Sequence, residues 1–178
     1  MSHAIVIFGA SGDLTSRKLI PALYRLHLKG RLPENTRVIG FSRTEYSHEA
    51  WRNELGESTR KFVGDQFDAA AWNDFAQLIF YQPGDIAVPQ DYQRLEKLLT
   101  ELEAGGECGR IYYLSTAPSL YAEAIAQLGA AGMAEETCGT RRIVVEKPFG
   151  TDVETARQLN ARLHEVFAEQ QIYRIDHY

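Results

Sequence analysis

The sequence predicts an α/β fold, a doubly wound parallel sheet with helices on both faces, in a single domain over residues 1–178. Three observations predict it. Short apolar runs rich in branched and aromatic residues recur along the chain, segments of helical periodicity separate them, and a turn bearing two glycines follows the first run. Buried parallel strands read as continuous apolar runs, and the long crossovers that join them are helices packed on the sheet's faces. With 178 residues, 44% hydrophobic and 24% charged, the chain is long enough to bury a substantial core. It shows no internal repeat, low-complexity tract or linker.

The strands are expected at residues 4–8, 37–41, 78–81, 111–114 and 143–145. The first helix carries Leu19, Leu23 and Leu26 at intervals of three and four, which predicts one apolar face toward the sheet. Pro21 removes a backbone donor inside it, so this helix is expected to start as an irregular turn near Asp13 and become regular around Pro21. Tyr92, Leu95, Leu99 and Leu102 give a later helix its buried face, and the Gly105-Gly106 pair is expected to stop it. Pro118-Ser119 marks the start of the next. The last helix presents Ala156, Leu159, Leu163, Val166 and Phe167 behind a capping box of Thr151 and Glu154. Strands alternating with helices in this way make a Rossmann-type domain.

Composition narrows the partners. A net charge of −5, from 24 acidic against 19 basic residues, leaves no broad basic surface for nucleic acid, so an anionic ligand must be met by a local cluster. Cys108 and Cys138 are far apart and lack metal-ligand spacing, so neither a disulfide framework nor a zinc site is indicated and both are expected to be reduced, buried or inert. Met1-Ser2-His3 runs straight into the first apolar segment without a basic leader, and no apolar run is long enough to span a bilayer. The expectation is a soluble, cytoplasmic protein with no membrane contact and no metal.

The turn Gly9-Ala10-Ser11-Gly12-Asp13-Leu14 follows the first strand and opens the first helix. Glycines here let the backbone approach a pyrophosphate, the helix N-terminus directs N–H groups toward it, and the Ser11 hydroxyl can add a donor. The spacing is G-x-x-G, so on its own the motif is equally a tight strand-to-helix turn. Asp13 would repel phosphate and is expected to cap the helix or hold the loop. After the second strand, Arg43 stands where NAD-specific proteins carry an acid for the ribose hydroxyls, which suits the 2′-phosphate of NADP. Glu45, two residues on, could instead bind a ribose and allow NAD, and Arg43 could be an ordinary loop charge.

Two more motifs carry chemistry. Glu146-Lys147-Pro148-Phe149-Gly150 closes the fifth strand, at the sheet edge where ligands of such folds gather. Lys147 there could hydrogen-bond a sugar hydroxyl or simply pair with Glu146, and the bond to Pro148 could be cis, although trans is the default by a wide margin. At the other end of the sequence, Arg174-Ile175-Asp176-His177-Tyr178 packs an acid, an imidazole and a phenol closely enough to contact a phosphorylated sugar.

The three motifs, in this order and each at the end of an expected strand, resemble glucose-6-phosphate dehydrogenase over nearly the whole chain. The resemblance implies hydride transfer from C1 of glucose 6-phosphate to the nicotinamide of NADP, giving a lactone, and leaves the use of NAD as well an open alternative. It implies further coenzyme contacts at Asp85 and Ile86, although Asp85 in Pro83-Gly84-Asp85 could equally be a turn residue. Others would fall at Ala117 and Pro118, where the family commonly has two prolines. Lys147 would touch both coenzyme and sugar, and Lys18 would point toward the substrate, with Arg17 beside it as a rival cation. Tyr121 matches a position near the nicotinamide. His177 and Tyr178 would contact the 6-phosphate, and Asp176 would orient a general-base histidine that lies beyond Tyr178. The chain would then be the coenzyme domain of a larger protein, itself inactive, whose second domain supplies the base and the contacts of a homo-oligomer. A sugar dehydrogenase of the glucose-fructose oxidoreductase type shares the Glu-Lys-Pro strand end but differs in glycine spacing. A non-catalytic dinucleotide-sensing module is the remaining reading.

Overall fold

The computed structural model describes residues 2–176 with the exception of Glu34, Gly105, Glu107 and Thr151. Among the described residues, six strands form one parallel sheet: β1 Ser2–Phe8, β2 Thr36–Ser42, β3 Ile79–Pro83, β4 Cys108–Leu114, β5 Arg141–Glu146 and β6 Ile172–Ile175. Their order is β3-β2-β1-β4-β5-β6, and every adjacent pair is parallel. β1 therefore pairs with both β2 and β4, and the chain reverses its winding direction beside it. The helices between the strands are α1 Ile20–Leu28, α2 His48–Val63, α3 Ala69–Ala76, α4 Pro89–Glu103, α5 Tyr121–Ala130 and α6 Val153–Val166. None is long and apolar enough to cross a membrane.

Alternation along the strands builds two cores. Val6, Phe8, Tyr112, Leu114, Ile143 and Val145 point to one face and pack against α4, α5 and α6. Ile7, Val38, Ile79 and Tyr81 point to the other and pack against α1, α2 and α3. The second face is covered only over β1 to β3; beyond them, Tyr113 and Val144 are half-buried and Tyr173 is 51% exposed.

The first helix enters as expected, through a π-helical turn at Thr15–Leu19 that becomes α-helical with Pro21 in its first turn. Its buried face differs from the expected one: Thr15, Ile20 and Tyr24 are buried, whereas Leu19 and Leu23 are half-buried and Leu26 is 38% exposed. The π turn is the reason. It sets Thr15 and Ile20 five residues apart on one side and so advances the α-helical phase by one.

Two further departures follow from local chemistry. The last helix is capped one residue later than the Thr151 and Glu154 box predicts, by Asp152 Oδ1, which accepts the Thr155 N–H at 2.8 Å while Thr155 Oγ1 accepts the Asp152 N–H at 3.1 Å. Asp outranks Thr as a cap, and Thr151 lies outside the described residues. α4 ends at Glu103 with Ala104, not a glycine, in the left-handed region at φ 50°; Gly105 lies outside the described residues. Cys108 and Cys138 are both free, the first buried and the second exposed.

Candidate functional site

Loops from the carboxyl ends of β1, β2, β3 and β4 surround a cleft of about 780 Å³. It sits at the point where the strand order reverses, since its two sides are the turn after β1 and the turn after β4. Gly9, Ser11 and Gly12 form its floor. Gly9 has φ +80°, and a Cβ there would lie 2.4 Å from the Ser115 carbonyl oxygen, so the β1 and β4 turns touch backbone to backbone. Its N–H donates to the Phe41 carbonyl at 2.9 Å, which fixes the turn to the end of β2.

No side chain caps the helical turn that follows Leu14. The helix opens at Asp13 and the Ser16 N–H donates to the Gly12 carbonyl at 3.4 Å, so the N–H groups left for solvent or a ligand are those just before Ser16. Ala10 is 1% exposed and belongs to the second core, so its side chain packs beneath the loop. Asp13 pairs with Arg17 at 3.5 Å and accepts a bond from Ser16 Oγ on its carbonyl; its side chain is 83% exposed and caps nothing. Arg17 also lies over the Phe62 ring, whereas the neighbouring Lys18 is simply exposed.

Arg43 lines the cleft from the β2 end, and Glu45 is exposed but not part of its wall. Ser42 and Thr44, on either side of Arg43, line it too. Ser42 Oγ donates to Ser11 Oγ at 2.9 Å, linking this loop to the glycine turn.

On the β3 side, Gly84, Asp85, Ile86 and Ala87 form the wall. Asp85 serves its own turn: Oδ1 accepts the Ala87 N–H at 2.9 Å, and its N–H donates to Asp91 Oδ2 at 2.7 Å. Ala117 lines the cleft beside Ser115, Thr116 and Leu120, while Pro118 faces a neighbouring groove with Pro148 and Phe149. Ser115 Oγ is buried with no hydrogen-bond partner in the protein, a polar atom left over for a ligand at the cleft wall.

Lys147 stands at the end of β5, and its Nζ pairs with Asp176 Oδ1 at 2.7 Å rather than with Glu146. Its backbone N–H donates to the Ile175 carbonyl at 3.0 Å, so β6 holds the strand end. Glu146 is 7% exposed and accepts a bond from the Tyr113 hydroxyl, whose pKa is raised by burial and by that carboxylate. The Lys147-Pro148 bond is cis, against the trans default, an isomer that the tertiary amide of proline makes accessible. Tyr121 is 2% exposed and bonds the Glu146 carbonyl at 3.5 Å, so it packs in the core. His177 and Tyr178 lie outside the described residues.

Ser42, Thr44, Gly84, Ala87, Ser115, Thr116 and Leu120 line the cleft without having been singled out from sequence. One signal could have found most of them: they follow directly on strands, and ligands of open α/β sheets bind beyond strand carboxyl ends.

The strand order, the glycine turn beneath the reversal point and the backbone contact that only glycine allows define a dinucleotide-binding domain of Rossmann type. The family described as "Glucose-6-phosphate dehydrogenase, NAD binding domain" matches residues 6–178, and the chain belongs to it. It is 45% identical over 176 residues to the glucose-6-phosphate 1-dehydrogenase of Aggregatibacter actinomycetemcomitans, covering 98% of this chain and 35% of that protein. It is 39% identical over 185 residues to "Glucose-6-phosphate 1-dehydrogenase 6, cytoplasmic" of Arabidopsis thaliana, with 98% and 35% covered. A solved glucose-6-phosphate dehydrogenase in complex with its substrate glucose 6-phosphate superposes with a TM-score of 0.89 at 35% identity, covering 99% of this chain and 37% of that one. The chain thus spans about a third of the length of these relatives.

Proposed function

We propose that this chain is the coenzyme-binding domain, residues 1–178, of a cytoplasmic oxidoreductase that oxidises glucose 6-phosphate at C1 to the lactone, with NADP as its preferred dinucleotide. A single observation carries the coenzyme reading: the cleft at the reversal point is walled by the glycine turn on one side and by Arg43 on the other, with Glu45 outside the wall. The backbone N–H groups of Ser11, Asp13 and Leu14 would receive the pyrophosphate where the helix opens, those of Gly9, Ala10 and Gly12 being held by the Phe41 and Gly9 carbonyls. Ser11 adds a hydroxyl donor, and the planar fork of Arg43 matches a 2′-phosphate. Gly9 and Ser115 support the fit, the first by letting the backbone come close and the second by its leftover hydroxyl. Asp85, Ile86 and Ala117 complete the coenzyme's surroundings, with Asp85 acting through its turn and Pro118 adjoining them from the neighbouring groove.

When bound, the nicotinamide supplies the hydride acceptor. Lys147 holds the sugar hydroxyl at the end of β5, Lys18 approaches from the first helix, and His177 and Tyr178 bind the 6-phosphate. Asp176 orients the histidine that takes the C1 hydroxyl proton. On this reading that histidine is not among these 178 residues, which alone bind coenzyme and turn nothing over. The whole protein assembles as a homo-oligomer.

The test is a titration with NADP and NAD side by side. Arg43→Ala should raise the Kd for NADP about tenfold or more, the worth of a charge-assisted bidentate contact, and change NAD little. Equal losses for both would remove the 2′-phosphate assignment. NADPH formation by the pure chain from glucose 6-phosphate would show that the proton acceptor is misassigned.

A further inference from the structure

We propose that Tyr81 is a positioning residue that sets coenzyme choice: its hydroxyl clamps the loop on both sides of Arg43. This rests on Arg43 being the contact for the 2′-phosphate. Tyr81 stands on β3, outside the cleft wall, and is 2% exposed. Its ring is fixed between Trp51, at 5.0 Å between centroids, and Tyr46, at 5.4 Å and 88°. From there the hydroxyl reaches the Thr44 carbonyl at 2.8 Å, the Ser42 carbonyl at 3.3 Å and Ser42 Oγ at 2.8 Å. The carbonyls before and after Arg43 thus converge on one buried atom.

Counting hydrogens gives the clamp a direction. The two carbonyls can only accept, so Tyr81 is the donor to them, while between Tyr81 and Ser42 Oγ either hydroxyl can donate. Burial favours the protonated form of Tyr81 by raising its pKa. Removing that one hydrogen releases the Ser42–Thr44 turn on both sides of Arg43. The loss falls on the part of the cleft that would hold a phosphate on the adenosine ribose. It does not touch the pyrophosphate that NAD and NADP share.

Tyr81→Phe keeps the ring and deletes the hydroxyl. The expected result is a Kd for NADP raised about fivefold to tenfold, the usual effect of losing a neutral hydrogen bond, with NAD changed less than about twofold and the melting temperature nearly retained. In an Arg43→Ala background, Tyr81→Phe should add little, because its main route of action is gone. Ser42→Ala, which removes the hydroxyl 2.8 Å from that of Tyr81 and leaves the aromatic packing intact, should give a smaller loss in the same direction and serves as the second variant if Tyr81→Phe folds poorly. If Arg43→Ala discriminates between the coenzymes but neither Tyr81→Phe nor Ser42→Ala does, the positioning role is overturned and the assignment of Arg43 stands. If Arg43→Ala itself weakens both equally, the underlying assignment falls and this role with it.

Discussion

Gly9 and Gly12 look alike in sequence, yet the structure asks different things of them. At Gly9 the backbone is left-handed, φ +80°, and a Cβ would meet the Ser115 carbonyl oxygen at 2.4 Å and Thr116 Cγ2 at 2.8 Å. At Gly12 the nearest atom is the Gly9 carbonyl oxygen at 3.1 Å, and no positive φ is required. Gly9→Ala is therefore expected to cost about 1–3 kcal/mol of stability and to push the β1 and β4 turns apart, lowering dinucleotide affinity at least about tenfold. Gly12→Ala should cost clearly less stability. Denaturant melts and titrations of the two variants check this, and equal losses would mean that the β1–β4 contact does not shape the cleft. The glycines, Ser11 and Arg43 were legible because their signal is local, a turn directly after an apolar run. Ser115, Thr116 and Leu120 were not, because small or apolar residues after a strand carry no pattern of their own and only the β1–β4 pairing brings them to the glycine turn. The turn role of Asp85 was one of two readings until the Ala87 and Asp91 partners came into view.

At the level of elements, β1 to β5 were legible because strands buried on at least one face read as apolar runs. β6 was missing from the five apolar runs: Tyr173 and Arg174, the middle residues of Ile172–Ile175, are both exposed, so the run looks polar at its centre. α3 went unseen because eight residues give barely two turns of periodicity. The opposite edge of the sheet shows how α2 serves β3. β3 pairs only with β2, and α2 side chains meet its outer edge: His48 Nδ1 accepts the Tyr81 N–H at 2.9 Å, and Arg52 Nε donates to the Ile79 carbonyl at 2.8 Å. Acceptor and donor alternate as a neighbouring strand would supply them, which blunts an edge otherwise open to another chain. The contact requires neutral His48, and burial, then the nearby Arg52 charge, lower its pKa. A depressed histidine pKa means that the unfolded chain takes up the proton first. Stability is therefore full above about pH 6.5 and declines as pH falls from there through the lowered native pKa. His48→Ala should cost on the order of 1 kcal/mol at pH 7.5, a net hydrogen bond. Its deficit relative to the parent should shrink toward pH 5 in urea melts at each pH. A deficit independent of pH would show that the imidazole contributes by packing alone.

For the molecule as a whole, the cleft lies where loops resting on the two cores meet. The glycine turn and the β2 loop rest on the core under α1 and α2, while Ile86 and the α5 entry at Tyr121 rest on the core under α4 and α5. A dinucleotide in the cleft would contact both groups of loops in the folded chain and nothing comparable in the unfolded one, so its binding energy adds to the stability of the entire domain. At about 100 times its Kd this contributes about 2.7 kcal/mol, which for a chain of this size raises the melting temperature by roughly 5–11 °C. The comparison between coenzymes is sharper still. With NADP and NAD at equal concentration, well above both dissociation constants, a tenfold preference for NADP separates the two curves by about 1.4 kcal/mol, or about 3–6 °C. Arg43→Ala should bring the two curves together without moving the curve of the ligand-free chain, since Arg43 is an exposed loop residue. Thermal melts with no ligand, NADP and NAD decide it, and a transition that neither dinucleotide moves would mean that the cleft is not where this domain binds its coenzyme.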